Sequence, residues 1–382
     1  MKKNLLFAAL AAAALTSCSY DEVIEVQKDE MTFTVITDNQ TKAADVYCQN
    51  NLMEVFNVFA TYTKDSKTSW YIKNDIIELD NGQWVDKTAT RYWSPDGTHD
   101  FVAFTNAGTI EALDDQPTTA IKAVNFTPKT DVTEQVDFVY AVNKGLNKED
   151  GNVALNFRHA LSQIEFWAKN TNDQLYVVIK DIKVGNTPSK GDFTFPTEST
   201  TTAFVNHNQN TTATLNVGTW ELSDLVNSYE VDLGEGIFLS RTANHKGLTT
   251  SIDVSGNSTR NFTNSLLLLP TSSLTNGKTV AWDPETEIIS ENAGTYLAIN
   301  CDIYNVAGSV FDATTDVKVH TGWTYIPVSF SWEPGKKYIY TFVFGQGEGG
   351  YTPGGDPTLA PITYSVTVDD FQLGTNSDVE LN

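Results

Sequence analysis

Apolar side chains in this chain recur at every second residue, and that period restricts it to extended structure. Val153-Ala-Leu-Asn-Phe157, Gln163-Ile-Glu-Phe-Trp-Ala-Lys169, Leu175-Tyr-Val-Val-Ile-Lys-Asp-Ile-Lys-Val184 and Lys337-Tyr-Ile-Tyr-Thr-Phe-Val-Phe344 all read as strands. They are short, rich in aromatic and β-branched residues, and set between Gly, Asn, Asp and Pro. No window carries a long amphipathic helix; short helical turns are expected at most near residues 158–161 and 222–226. Strands without crossover helices predict an all-β chain of antiparallel sheets packed as sandwiches.

The chain has 382 residues, enough for two domains of ordinary size. Its hydrophobic fraction of 40% and aromatic fraction of 11% are enough to fill a sizeable core. A break follows Gly191-Asp-Phe-Thr-Phe-Pro196, where residues 197–212 turn Thr-, Asn- and Gln-rich, as a linker or long surface loop does. One sandwich is therefore expected at 44–195 and a second at 196–382.

The amino end has a different character. Lys2 and Lys3 precede an apolar run at residues 5–15, and Leu15-Thr-Ser-Cys18 closes it. That order is the layout of a secretory signal over residues 1–17, and its end looks like a lipobox, which makes Cys18 the expected site of lipidation. The apolar run has eleven residues, whereas a spanning helix needs roughly 20. Leu266-Leu-Leu-Leu269 is the other dense apolar stretch, and Pro270 ends it. The expectation is an exported body tethered to a membrane by acyl chains. Loss of residues 1–17 removes two lysines and no acid, leaving 23 basic against 48 acidic residues, a net of −25. Such a surface repels nucleic acid and anionic membrane.

Residues 18–43 form a leader. Acids follow Cys18 through Glu30, and then Met31-Thr-Phe-Thr-Val-Ile36 reads as a strand with Phe33 and Val35 on one face. Asp38-Asn-Gln-Thr-Lys-Ala-Ala44 after it is polar. A strand between a tether and a cuttable loop can be removed without destroying the sandwich that follows.

Sites for chemistry are scarce. Gly345-Gln-Gly-Glu-Gly-Gly350 matches G-x-G-x-x-G, but Tyr351-Thr-Pro-Gly-Gly-Asp-Pro357 cannot open the helix that would hold a pyrophosphate. Asn276-Gly-Lys-Thr279 lacks the earlier glycine of a P-loop, since Ser272 stands there. His99, His159, His207, His245 and His320 offer no pair on one element for a metal. No catalytic residue, metal ligand or cofactor is assigned, and the chain is not read as an enzyme. Cys301 alternates with Leu297, Ile299 and Ile303 and reads as a small buried hydrophobe, with a bridge to Cys48 as the alternative. Trp70, Trp84, Trp93, Trp220, Trp282, Trp323 and Trp332 fall mostly near turns. Packing is the first reading of these rings; stacking on sugars, in a glycan-binding lipoprotein of a nutrient-uptake system, is the second.

The chain resembles the fimbrillin family, the pilus subunits and fimbrillin-like lipoproteins of Bacteroidetes. Beside the lipobox, the resemblance rests on Phe33-Thr-Val35, Gln40-Thr-Lys-Ala-Ala44, Met53-Glu-Val-Phe-Asn-Val-Phe-Ala-Thr-Tyr62, Tyr92-Trp-Ser-Pro95 and Asp100-Phe-Val-Ala-Phe104. It continues through Val136-Asp-Phe-Val-Tyr-Ala-Val142, Leu155-Asn-Phe-Arg-His-Ala-Leu-Ser-Gln-Ile164, Leu266-Leu-Leu-Leu-Pro270, Trp332-Glu-Pro-Gly-Lys-Lys-Tyr-Ile-Tyr-Thr341 and Ile362-Thr-Tyr-Ser-Val-Thr-Val-Asp-Asp-Phe371. Each piece is weak alone; their shared order is specific. The resemblance implies two tandem transthyretin-like antiparallel β-sandwich domains on a surface lipoprotein of the outer membrane. It implies proteolytic cutting between Lys42 and Ala43, where the family usually offers arginine before the cut. The strand bearing Phe33 and Val35 would then leave, and a strand of another pilus subunit would take its place. The implied partners are other subunits and the outer membrane, with a host or glycan ligand left open.

Overall fold

The computed structural model describes residues 29–36, 54–111, 117, 121–200, 217–223, 226–240, 246–249, 265–271, 281–285, 294–306, 308, 310–312, 314–347, 349–358 and 362–370. The period-two alternation is realised there as strands. In chain order they are β1 (Thr32–Ile36), β2 (Val55–Lys64), β3 (Lys67–Asp80), β4 (Gln83–Asp86), β5 (Thr98–Thr105), β6 (Thr109–Ile110) and β7 (Lys122–Phe126). Next come β8 (Val139–Leu146), β9 (Asn152–Asn156), β10 (Arg158–His159), β11 (Ser162–Asn170), β12 (Leu175–Pro188), β13 (Gly191–Thr194) and β14 (Thr219–Leu222). The last are β15 (Val226–Leu239), β16 (Lys246–Gly247), β17 (Leu266–Leu268), β18 (Tyr296–Asn305), β19 (Val317–Pro327), β20 (Lys336–Phe344) and β21 (Ile362–Asp370). The fold is all-β. Helical turns among the described residues are short 3-10 turns at Val132–Glu134 and Lys148–Asp150. The turn expected at residues 158–161 is instead β10, held to β8 by the pairs Arg158–Tyr140 and His159–Val139.

An eight-stranded sheet runs in the order β10-β8-β5-β2-β3-β4-β1-β9. Its hairpins follow local rules. Asp65-Ser66 and Asn81-Gly82 each close a two-residue loop with positive φ at both positions, as the twist of antiparallel strands favours. One face encloses Met31, Phe33, Phe56, Val58, Ile72, Ile77, Phe101, Val153 and Leu155 in a single core. Since six strands surround that core, the sheet folds over upon itself.

The opposite face is also covered. Phe59, Val102, Phe104, Tyr140 and Val142 meet Ala123, Phe126, Phe193 and Trp220 of a four-stranded sheet, β14-β13-β7-β6. The middle strands are thus buried on both sides, which is why Phe101-Val-Ala-Phe104 and Val139-Tyr-Ala-Val142 are continuous rather than alternating. Leu267 and Leu269, from far along the chain, complete this second core.

A third core lies between the sheets β16-β11-β20-β21 and β15-β12-β18-β19. Phe166, Phe342 and Tyr340 come from the first; Ile179, Val231, Ile299 and Cys301 come from the second. Cys301 is a free thiol, fully buried. Strand pairing crosses the boundary at 195/196 that composition suggested: β11 and β12 precede it and pair with strands that follow it. Pairing is antiparallel throughout the named strands with two exceptions, β1 with β9 and β11 with β20. Periodicity reports the face of a strand, not its direction, so these two were invisible to it.

Candidate functional site: the slot of the first strand

β1 lies in the large sheet between β4 and β9. Its sequence alternates, so Met31 and Phe33 point inward at 5% and 4% exposure while Thr32 and Thr34 face out. Val35, on the inward face, is half-buried. Five pairs in register, Thr32–Asn152 to Ile36–Asn156, run parallel to β9. Only Phe33–Trp84 pairs with β4, antiparallel. A parallel neighbour cannot be reached by a tight hairpin. β1 therefore meets β9 from a distant part of the chain.

The wall around Phe33 is aromatic. Its ring meets Phe56 and Phe101 edge-on, both at 6.3 Å between centroids. Phe56 in turn lies 4.9 Å from Trp84 and 5.3 Å from Phe157. These are the geometries that aromatic pairs prefer.

A second segment grips the start of the strand. The Met31 N–H donates to the Arg91 carbonyl, and the Trp93 N–H donates to the Asp29 carbonyl, both at 2.8 Å. Residues 91–93 are themselves fixed from behind. Arg91 donates from Nε to Asp75 Oδ2 at 2.6 Å and from Nη2 to Oδ1 at 2.9 Å, a two-pronged bond to a carboxylate only 2% exposed. That hydrogen bond holds the Arg91 guanidinium above its ordinary pKa. The Tyr71 hydroxyl donates to the Tyr92 carbonyl, and Trp93 Nε1–H donates to the Gly151 carbonyl at 3.1 Å. Nearby, burial pushes the Asp86 carboxyl up, against the pull of two backbone N–H donors, and the Asp75 charge adds to the rise.

His99 sits in the same wall, fully buried among Tyr62, Tyr71, Trp93 and Phe101. Burial lowers its pKa, which disfavours the charged ring in the fold. Its Nε2 lies 3.2 Å from the Ser94 hydroxyl.

On its far side β9 is moored by side chains rather than a ladder. Asn143 Nδ2 donates to the Ala154 carbonyl at 2.7 Å, and Thr200 Oγ1 donates to the Asn156 carbonyl at 2.9 Å. Thr200 also ties back to β8 through its N–H and the Val142 carbonyl, 2.7 Å. Among the named strands, β1 is the one ladder partner of β9. Without β1, one edge of β9 would present open N–H and C=O groups beside an apolar trough, a template for another strand.

Of the residues singled out from sequence, Phe33 and Val35 line this slot. Cys18, Lys42 and Ala43 lie outside the described residues, as do Cys48, His207 and His245. Sequence reading missed Asp75, Arg91, Asn143 and Thr200, which act across long chain separations; only the run Val153-Ala-Leu-Asn-Phe157 hinted at the partner strand. His159 holds Asp137 at 2.8 Å, and His320 Nε2 lies 3.1 Å from the Thr324 hydroxyl. Of the glycine-rich run, residues 345–347, 349 and 350 follow β20 outside any strand or helix. None of the eight tryptophans is fully exposed: Trp93, Trp220, Trp282 and Trp332 are buried, and Trp70, Trp84, Trp167 and Trp323 are half-buried.

A family model described as fimbrillin-like matches residues 37–370, beginning directly after β1. No curated protein matches the chain. Among solved structures, a fimbrial protein from Bacteroides vulgatus ATCC 8482 is similar over 90% of this chain and 99% of its own, at 17% identity and a TM-score of 0.57. A fimbrilin from Porphyromonas gingivalis W83 aligns over 92% of this chain and 99% of its own, at 11% identity and a TM-score of 0.43. The family match spans most of the sequence, and the chain belongs to the fimbrillin-like family.

Proposed function

We propose that the protein is a fimbrial subunit, exported as a lipoprotein through Cys18 and held at the outer membrane surface until its first strand is cut away. Cutting after Lys42 removes Cys18 and β1 together, so one event frees the subunit from its lipid and opens its slot. A strand of another subunit then fills the vacancy, with main-chain bonds supplying affinity and alternating side chains supplying register. The observation that carries this reading is the position of β1, parallel to β9, with Met31 and Phe33 buried in a core built by later strands.

Amino-terminal sequencing of protein from the cell surface tests the reading. Assembled material should begin at Ala43, and precursor at Cys18 carrying acyl chains. In vitro, limited trypsin treatment of the folded precursor should yield the Ala43 product and start polymerisation. Monomers that persist after that cut would leave no support for assembly by this slot.

A further inference from the structure

We infer that the slot selects its occupant by one aromatic side chain and one chain direction. It takes an extended segment running parallel to β9, with a phenylalanine ring at the level of Phe33, an apolar residue two positions before and an aliphatic one two positions after. This deepens the strand-exchange reading and rests on it.

The resident strand supplies the template. Direction is set by β9, which engages β1 over five registered pairs, while β4 contributes a single pair and has little say. A reversed strand would meet an antiparallel bond pattern, with alternating close and wide pairs, where β9 now makes the evenly spaced parallel one.

Selectivity along the strand is uneven. At the level of Phe33 the neighbours Phe56, Phe101 and Val153 are all fully buried, and the two phenylalanines present their rings edge-on at 77° and 86°. An aliphatic side chain there leaves part of the space empty and loses both edge-to-face contacts. Met31 is an unbranched, flexible side chain buried in the same core, so that level asks for an apolar group of no fixed shape. Val35 is half-buried and more permissive. Thr32 and Thr34 face outward and impose nothing. The order of demand is therefore 33, then 31, then 35, with 32 and 34 free.

The test uses the full chain carrying Phe33→Ala, whose resident strand is held less firmly, and fluorescent peptides copying residues 29–36. Peptide binding is read by anisotropy. The unaltered peptide should bind; its Phe33→Ala version should bind at least about tenfold more weakly and its Thr34→Ala version within about twofold, and a version carrying Thr32→Cys should cross-link to a chain carrying Asn152→Cys and not to one carrying Ala154→Cys. The same series on the unsubstituted chain serves where the Phe33→Ala chain does not fold. Equal binding of the unaltered and Phe33→Ala peptides, or cross-linking of position 32 to Ala154→Cys in place of Asn152→Cys, overturns the selectivity while leaving strand uptake intact. Failure of every peptide, with amides 32–36 exchanging as slowly as those of β5, overturns strand uptake itself and the inference with it.

Discussion

At the scale of the residue, two side chains near the slot carry separable roles. Phe33 fills a closed aromatic space, so Phe33→Ala should cost about 3–5 kcal/mol, the range for buried phenylalanine truncations. Denaturant titration of the full chain measures it. His99 acts through protonation. Its folded pKa is lowered by burial, so the unfolded chain binds a proton at that ring more readily than the fold does. The resulting loss of stability is absent well above the ordinary histidine pKa of about 6.5 and grows as pH falls below it. His99→Phe keeps a ring for Phe101 and Trp93 to pack on and removes the titration. The midpoint of denaturation should therefore fall from pH 7 to pH 5 in the wild type by more than in His99→Phe. Phe33 and Val35 were legible in the sequence because alternation assigns a face. Asp75 and Arg91 were not, since no period links a carboxylate on β3 to a guanidinium beyond β4.

At the scale of the element, β1 is unlike its neighbours. It joins the sheet by five parallel pairs and one antiparallel pair, whereas β2 lies between two long antiparallel ladders with β3 and β5. Parallel pairing is slightly the less stable per residue. Amides of 32–36 should therefore exchange with solvent by a local opening, faster than those of β2 and β5, whose exchange tracks global unfolding. Native-state hydrogen exchange with fragment mass analysis reads this directly. The element also shows how far pattern reaches. β12, β18 and β20 declared themselves by the alternation of their apolar side chains. The partnership of β1 with β9 did not, because it is written in the geometry of a closed core and not in either short segment.

At the scale of the molecule, the three large cores among the described residues draw on segments that are not consecutive in sequence. Leu267 and Leu269 sit with Phe104 and Phe138, while β11 and β12 pair with β20, β15 and β18. At the start of the β11–β20 ladder the Ser162 hydroxyl donates to the Glu333 carbonyl at 2.8 Å and the Gly335 N–H donates to the Leu161 carbonyl at 2.9 Å. A fragment ending at residue 195 would lack Trp220, Leu267 and Leu269 and would leave β11 and β12 unpaired. Such a fragment should show no cooperative thermal transition and should bind a hydrophobic dye, whereas the whole chain should unfold cooperatively; calorimetry and dye fluorescence separate the two outcomes. The all-β class was readable because period two recurs in segment after segment of the body, but the grouping of strands was not, because composition marks loops and is silent about which strand returns to which layer. The placement of Leu267 and Leu269 has a consequence for biosynthesis. A polypeptide emerges amino end first, so the earliest half must wait, with an oily flank uncovered, until more than two-thirds of the chain has appeared; a nascent subunit is thus kept from premature closure by its own order of manufacture.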